Sequence, residues 1–200
     1  HVPEWTELPS QTILTDKGEE GFKFDSGWWD EYRETRPLRD FDLREADLMS
    51  IGMDDPRERQ ALLASFEQRD SLKPAKIFDI GDVIRQKKEQ DPEHENYLST
   101  KELLEAIDAA GYRPATILEL MAYARDRWKP EPEETRGQPL TEEESEERCN
   151  APYIYAFGSP FADSDDYRNV PSLRWRGDER NLHANDFTIG WNSDDRFLVF

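Results

Sequence analysis

STKELLEAIDAAGYRPATILELMAYARDRW, residues Ser99–Trp128, holds two helix starts in thirty positions. Ser99 followed by Glu102 is a capping box, in which the serine side chain and the glutamate side chain satisfy each other's backbone amides. Leu103, Leu104, Ile107 and Ala110 then recur at helical spacing, and Gly111 supplies the stop. Thr116 followed by Glu119 repeats the box, and Ile117, Leu120, Met121, Ala124 and Trp128 form the second stripe. The spacing therefore predicts helices over 99–110 and 116–128, with their apolar stripes turned to a core rather than to a cofactor.

Towards the C-terminus the composition changes twice. Residues 129–148 are rich in Pro and Glu without apolar periodicity, and 129–149 reads as an acidic insertion. Strand patterns follow at Tyr153–Gly158 and Ser172–Trp175, separated by a polar loop from Asp163 to Asn169. From Arg180 to Phe200 there is no Glu, Lys, Gln or Met. Small polar residues instead sit between Leu182, Phe187, Ile189 and Trp191, ahead of the apolar end Phe197–Phe200. Such a segment reads as short strands and turns that display polar groups. Its plain alternative is a polar loop before a final strand over 196–200.

Towards the N-terminus, Ala75–Ile80 alternates as a strand does, and Asp55 before Pro56 starts a helix that carries Leu62, Leu63 and Phe66 to about Gln68. Thr12–Thr15 and Phe22–Phe24 read as short strands around the Asp16–Gly18 turn, and Trp28, Trp29 and Tyr32 form an aromatic knot that suits packing. Two helices followed by short strands indicate an α+β domain over 76–200, with residues 1–75 as an N-terminal extension packed on it.

A net charge of −19 argues against binding to nucleic acid through its phosphates, which needs a basic face. Aromatic residues at 12% supply enough bulk for a folded core, and no apolar run reaches membrane-spanning length. Cys149 is the only cysteine, and His1, His94 and His183 stand apart, so no Cys/His spacing fits zinc. Asp163-Ser164-Asp165-Asp166 opens like a calcium loop but lacks the mid-loop Gly and the final Glu. No catalytic set, metal site or cofactor is expected.

Gly111-Tyr112-Arg113-Pro114-Ala115-Thr116 with Glu119, then Ala156-Phe157-Gly158-Ser159, Trp191 and the terminal Arg196-Phe197-Leu198-Val199 together resemble the C-type lectin fold in its formylglycine-generating-enzyme-like branch. There a Gly-x-Arg-Leu-Pro-Thr-x-x-Glu-Trp pattern opens the second helix, and the chain ends on an Arg-containing strand near the N-terminal strand. Pro114-Ala115-Thr116 replaces Leu-Pro-Thr here, and Leu120 stands in place of Trp. The likeness is closer to the variable proteins of diversity-generating retroelements and covers roughly residues 76–200. It implies two helices with a small, mainly antiparallel sheet. The enzymes of this branch need a cysteine pair for oxidation, which the lone Cys149 does not supply.

In the variable proteins a reverse transcriptase rewrites adenines in codons near the 3′ end. Rewritten codons can yield Asn, Asp, His, Tyr, Ser, Thr, Ile, Gly, Ala, Val, Arg, Pro, Leu, Phe or Cys, but never Glu, Lys, Gln, Met or Trp. Residues Asn181–Asp195 obey this except at Trp191. The resemblance thus implies a non-enzymatic binder of a protein or other macromolecular ligand. His183, Asn185, Asp186, Thr188, Asn192, Ser193, Asp194 and Asp195 would form its variable surface, with Leu182, Phe187, Ile189 and Trp191 as buried anchors. Two other functions fit parts of the chain. One is an acidic decoy that inhibits a nucleic-acid-binding enzyme by charge. The other is a calcium-dependent sugar-binding lectin, since Trp191-Asn192-Ser193-Asp194 is similar to a Trp-Asn-Asp motif, although its partner Glu-Pro-Asn tripeptide is missing.

Overall fold

The computed structural model describes residues 22–24, 41–69, 75–126, 153–163, 165–176 and 179–200. Thr12–Thr15, the Trp28, Trp29 and Tyr32 knot, Trp128 and the acidic insertion lie outside the described residues. Among those described, the order is β1 (Phe22–Phe24), α1 (Glu45–Ser50), α2 (Pro56–Glu67), β2 (Lys76–Asp79), α3 (Gly81–Gln90), α4 (Thr100–Ala109), α5 (Ile117–Asp126), β3 (Ile154–Tyr155), β4 (Phe161–Ala162), β5 (Arg168–Arg176), β6 (Glu179–Asp186) and β7 (Arg196–Val199). The protein is mixed α+β.

Both capping boxes form. Glu102 Oε2 accepts the Ser99 amide at 2.9 Å while Ser99 Oγ accepts the Glu102 amide at 3.3 Å. Thr116 and Glu119 exchange the same pair of bonds at 2.8 and 3.3 Å. Gly111 ends the first of these helices with φ of 83°, a conformation that costs a glycine nothing. Asp55 caps α2 by accepting the Arg57 amide at 2.8 Å, and Pro56 takes the first helical position, where its missing N–H would have no partner. Helices α1 and α3 were not expected. Each buries very little, Asp47 and Leu48 in the first and Ile84 in the second, so no apolar stripe announces them.

The strands run β1-β6-β5-β3-β7-β2 across one sheet, with β4 paired to β5. Four of the six pairings are antiparallel; β1 with β6 and β3 with β7 are parallel. The expected final strand is present, Arg196–Val199, between β3 and β2. The expected strand over 153–158 is shorter, because after the Ala156 amide donates to Pro171 O at 3.0 Å the backbone leaves the ladder and the Gly158 amide donates instead to Ala115 O at 2.8 Å. The strand foreseen at 172–175 is longer and takes in Arg168 and Asn169 from the expected polar loop.

Alternation along the central strands divides the core in two. Tyr155, Phe157, Phe197 and Val199 join Leu48, Phe66, Ile84 and Leu103 on one side of the sheet, while Ile154, Ala156, Leu198 and Phe200 join Ile117, Leu120 and Ala124 of α5 on the other. A strand covered on both faces reads as a continuous apolar run, which is why Phe197–Phe200 contains no polar residue.

The Arg113–Glu119 ion pair is built into this core. Arg113 donates to both oxygens of Glu119, at 2.9 and 2.6 Å, and both residues are buried. A fork of this kind offsets desolvation only when the remaining polar groups are also satisfied. Here Glu119 also accepts the Thr116 amide, and Arg113 donates to Pro114 O and lies over the Phe200 ring at 5.1 Å. The Arg113 and Phe200 backbones exchange two hydrogen bonds, and Ser159 Oγ accepts the Ile117 amide. The loop before α5, the Ala156–Ser159 turn and the end of the chain are thereby joined.

Candidate ligand-binding surface

Strand β6 ends at Asp186, and the chain then turns back to reach β7 at Arg196. The intervening loop is fastened from below by two large rings. Trp191 is fully buried, with Tyr155, Phe157 and Phe197 edge-on to it at 4.7, 4.9 and 5.7 Å. Phe187 is also fully buried and lies 5.4 Å from Phe157. Thr100, at the start of α4, completes the fastening. Its hydroxyl accepts the Trp191 indole N–H at 2.8 Å and donates to Phe187 O at 2.5 Å. Trp191 and Leu98 exchange two backbone hydrogen bonds, both 2.8 Å.

Leu182, Phe187 and Trp191 are buried, as expected of the anchor positions. Ile189 is not. It is 41% exposed, because period-two alternation ends with the strand at Asp186 and the turn that follows swings Ile189 outward. Of the residues expected at the surface, Asp186, Thr188, Asn192, Ser193 and Asp194 are exposed. His183, Asn185 and Asp195 are only half-buried, a correction to the fully solvent-facing surface that the alternation implied. His183 and Asn185 pair across the sheet with Ser172 and Val170, both buried, and Asn185 Oδ1 accepts the Ser172 hydroxyl at 2.6 Å.

Asp195 faces inward for a different reason. Its carboxylate accepts the Asn192 amide at 2.9 Å and the Tyr155 hydroxyl. Burial pushes its pKa above the usual carboxylate range, against the pull of those two donors. Tyr155 is raised as well, by burial first and then by the charge of Asp195. The other polar side chains shape the turns: Asp186 accepts the Thr188 amide and hydroxyl, both at 2.7 Å, and Asn192 accepts the Asp194 amide at 2.9 Å. The Asn192 oxygen of the Trp191–Asp194 motif thus serves the motif's own backbone. Among the described residues no group of three His, Cys, Asp or Glu is placed to hold a metal ion.

The loop does not stand alone. Asn96, Tyr97 and Ser99 face Thr188, Ile189, Gly190 and Asn192 across an open cleft of about 510 Å³. Tyr97 is 45% exposed and its ring lies on Gly190, where an added Cβ would come within 2.4 Å of it. This second wall lies some ninety positions upstream in the sequence, and the local sign of it is a large aromatic, Tyr97, two residues before the Ser99 cap. What the arrangement offers is amides, hydroxyls and two exposed apolar side chains on a fixed backbone, a set suited to recognition. The chain matches no family model, and no curated protein and no solved structure matches it.

Proposed function

We propose that the protein is a non-enzymatic ligand-binding protein on a C-type-lectin-like scaffold, with its C-terminal surface diversified by a retroelement. One observation carries the reading. Between Asp186 and Asp195 every exposed side chain is of a type that adenine rewriting can produce, whereas Trp191, which it cannot produce, is fully buried. A surface that must accept many side chains cannot also supply the core, so fixed and changing positions have to separate in this way. The exposure of Ile189 fits the same rule, because isoleucine belongs to the rewritable set. The scaffold assignment is supported by the joining of Arg113, Glu119, Gly158, Ser159 and Phe200, and by the pairing of the last strand with β2, the first strand of residues 76–200.

Sequencing of the locus tests the reading. The expected result is a reverse-transcriptase gene, a near-copy of the last coding segment, and substitutions among siblings at 188, 189 and 192–194 with Trp191 constant. An invariant segment, or variation at Trp191, would remove it. The net charge of −19 favours the acidic decoy as second reading. Deletion of Glu131–Glu147 is expected to leave ligand binding intact. Loss of binding on that deletion, with steep salt dependence, would put the decoy first.

A further inference from the structure

We infer that the cleft between Asn96–Ser99 and Thr188–Asn192 receives a basic peptide segment, with a Lys or Arg side chain laid on the Tyr97 ring. This rests on the reading of the Asp186–Asp195 loop as a binding face and names the kind of ligand that suits it. The first ground is charge complementarity. The chain leading to Tyr97 carries Glu89, Asp91, Glu93 and Glu95, all exposed, and the segment that supplies the other side of the cleft carries Asp186 and Asp194, also exposed. Neither 89–99 nor 181–195 contains a Lys or Arg.

Three cations close to these segments in sequence are already engaged. Lys87 is held by Glu102 at 2.8 Å, Lys101 by Glu58 at 3.2 Å, and Arg196 by Ser193 O at 2.6 Å and Asp79 at 3.5 Å. A ligand entering the cleft therefore meets no Lys or Arg among the residues that line it, with carboxylates flanking them in the chain. An anionic or nucleic-acid ligand would be repelled, and a basic one is steered in.

The second ground is the cleft lining. It is uncharged, and it includes the Tyr97 ring, which lies against Gly190 and is 45% exposed. Carboxylates flanking an exposed tyrosine provide both halves of cation recognition, a distributed negative field and a ring quadrupole that attracts ammonium or guanidinium groups. The Leu98–Trp191 backbone exchange and the Ser99 cap hold the Tyr97 wall against the loop, so the site is preformed.

The test uses the isotope-labelled full chain and two acetylated hexapeptides, alternating Gly-Arg and alternating Gly-Glu, followed by amide shifts. The Gly-Arg peptide is expected to move Asn96, Tyr97, Gly190 and Asn192, and the Gly-Glu peptide to move nothing. Tyr97→Ala should weaken binding by about two- to fivefold, the range for one exposed cation–π contact, and Tyr97→Phe should preserve it. Glu93→Gln with Glu95→Gln should weaken it more than Glu67→Gln with Asp165→Asn, which removes the same charge from other elements. Shifts scattered over the whole acidic surface, an unchanged Tyr97→Ala affinity, or equal effects of the two charge pairs would overturn the inference. Sequencing of the locus is independent of all these outcomes. A constant C-terminal segment with the peptide still seated on Tyr97 would refute diversification but keep the cleft, and variation without peptide binding would do the reverse.

Discussion

Replacement of Trp191 by alanine tests whether the loop is fastened as described. Trp191 is fully buried, and three rings meet it edge-on within 6 Å. Emptying a site of this kind costs about 3–5 kcal/mol, and edge-to-face contacts place it in the upper part of that range. The loss of the indole donor adds little, since the Thr100 hydroxyl still donates to Phe187 O. A cost of about 4–5 kcal/mol should lower the Tm of a chain this size by roughly 10–15 °C. Trp191→Phe keeps most of the ring contacts and should cost about 1–2 kcal/mol, mainly for the hydrogen bond and the lost volume. Asp194→Ala should stay within about half a kcal/mol. Asn192→Ala and Asp186→Ala should cost about 0.5–1 kcal/mol each, because their side chains accept turn amides. Circular-dichroism melts and urea titrations of the five variants decide the matter. If Trp191→Ala melted like the parent while the polar variants lost most of their stability, the division into anchors and display positions would be inverted and the binding-surface argument would fail.

Three further outcomes are expected. Glu119→Ala should cost about 3–5 kcal/mol because it leaves Arg113 buried and charged, while the double replacement Arg113→Met with Glu119→Leu should recover most of that loss in a urea double-mutant cycle. Burial alone would raise Glu102, but hydrogen bonds from Lys87, His94 and Ser99 more than reverse this and hold it at about 2. Its contribution to stability is therefore complete above pH 4.5 and is lost as pH falls towards 2, an acid limb that Glu102→Gln should flatten in pH-dependent denaturation. Asp195 is shifted the other way, so its folded form is less favoured as pH rises from 3.8 through the raised value; Asp195→Asn should melt no lower than the parent at pH 7, and a loss beyond about 1 kcal/mol would contradict this.

The parts of this fold that could be read from the sequence are those in which one short stretch contains its own explanation. Ser99 with Glu102, Thr116 with Glu119 and Asp55 with Pro56 each determine a helix start from within four residues, and all three form. The doubly covered strand Arg196–Val199 was legible for the same reason, since its apolar run is continuous. What could not be read depends on distant partners. Helix α3 is mostly polar and owes its place to Ile84 in a shared core. Ile189 looked like an anchor because alternation was carried past the end of β6. Tyr97 gave no functional signal because its meaning comes from Gly190, which only the folded chain brings beneath its ring.

The Thr100 hydroxyl bonds to a carbonyl 87 residues away and to an indole 91 residues away. Contacts at such separation are closed late and slowly, after the entropy of a long loop has been overcome. The 187–195 loop is therefore expected to assemble after the α2, α4 and α5 segments, whose contacts are more local. Changes at its exposed positions should then leave the folding rate alone and appear, where they appear at all, in the unfolding rate. A chain built in this order can carry many different loops without relearning how to fold.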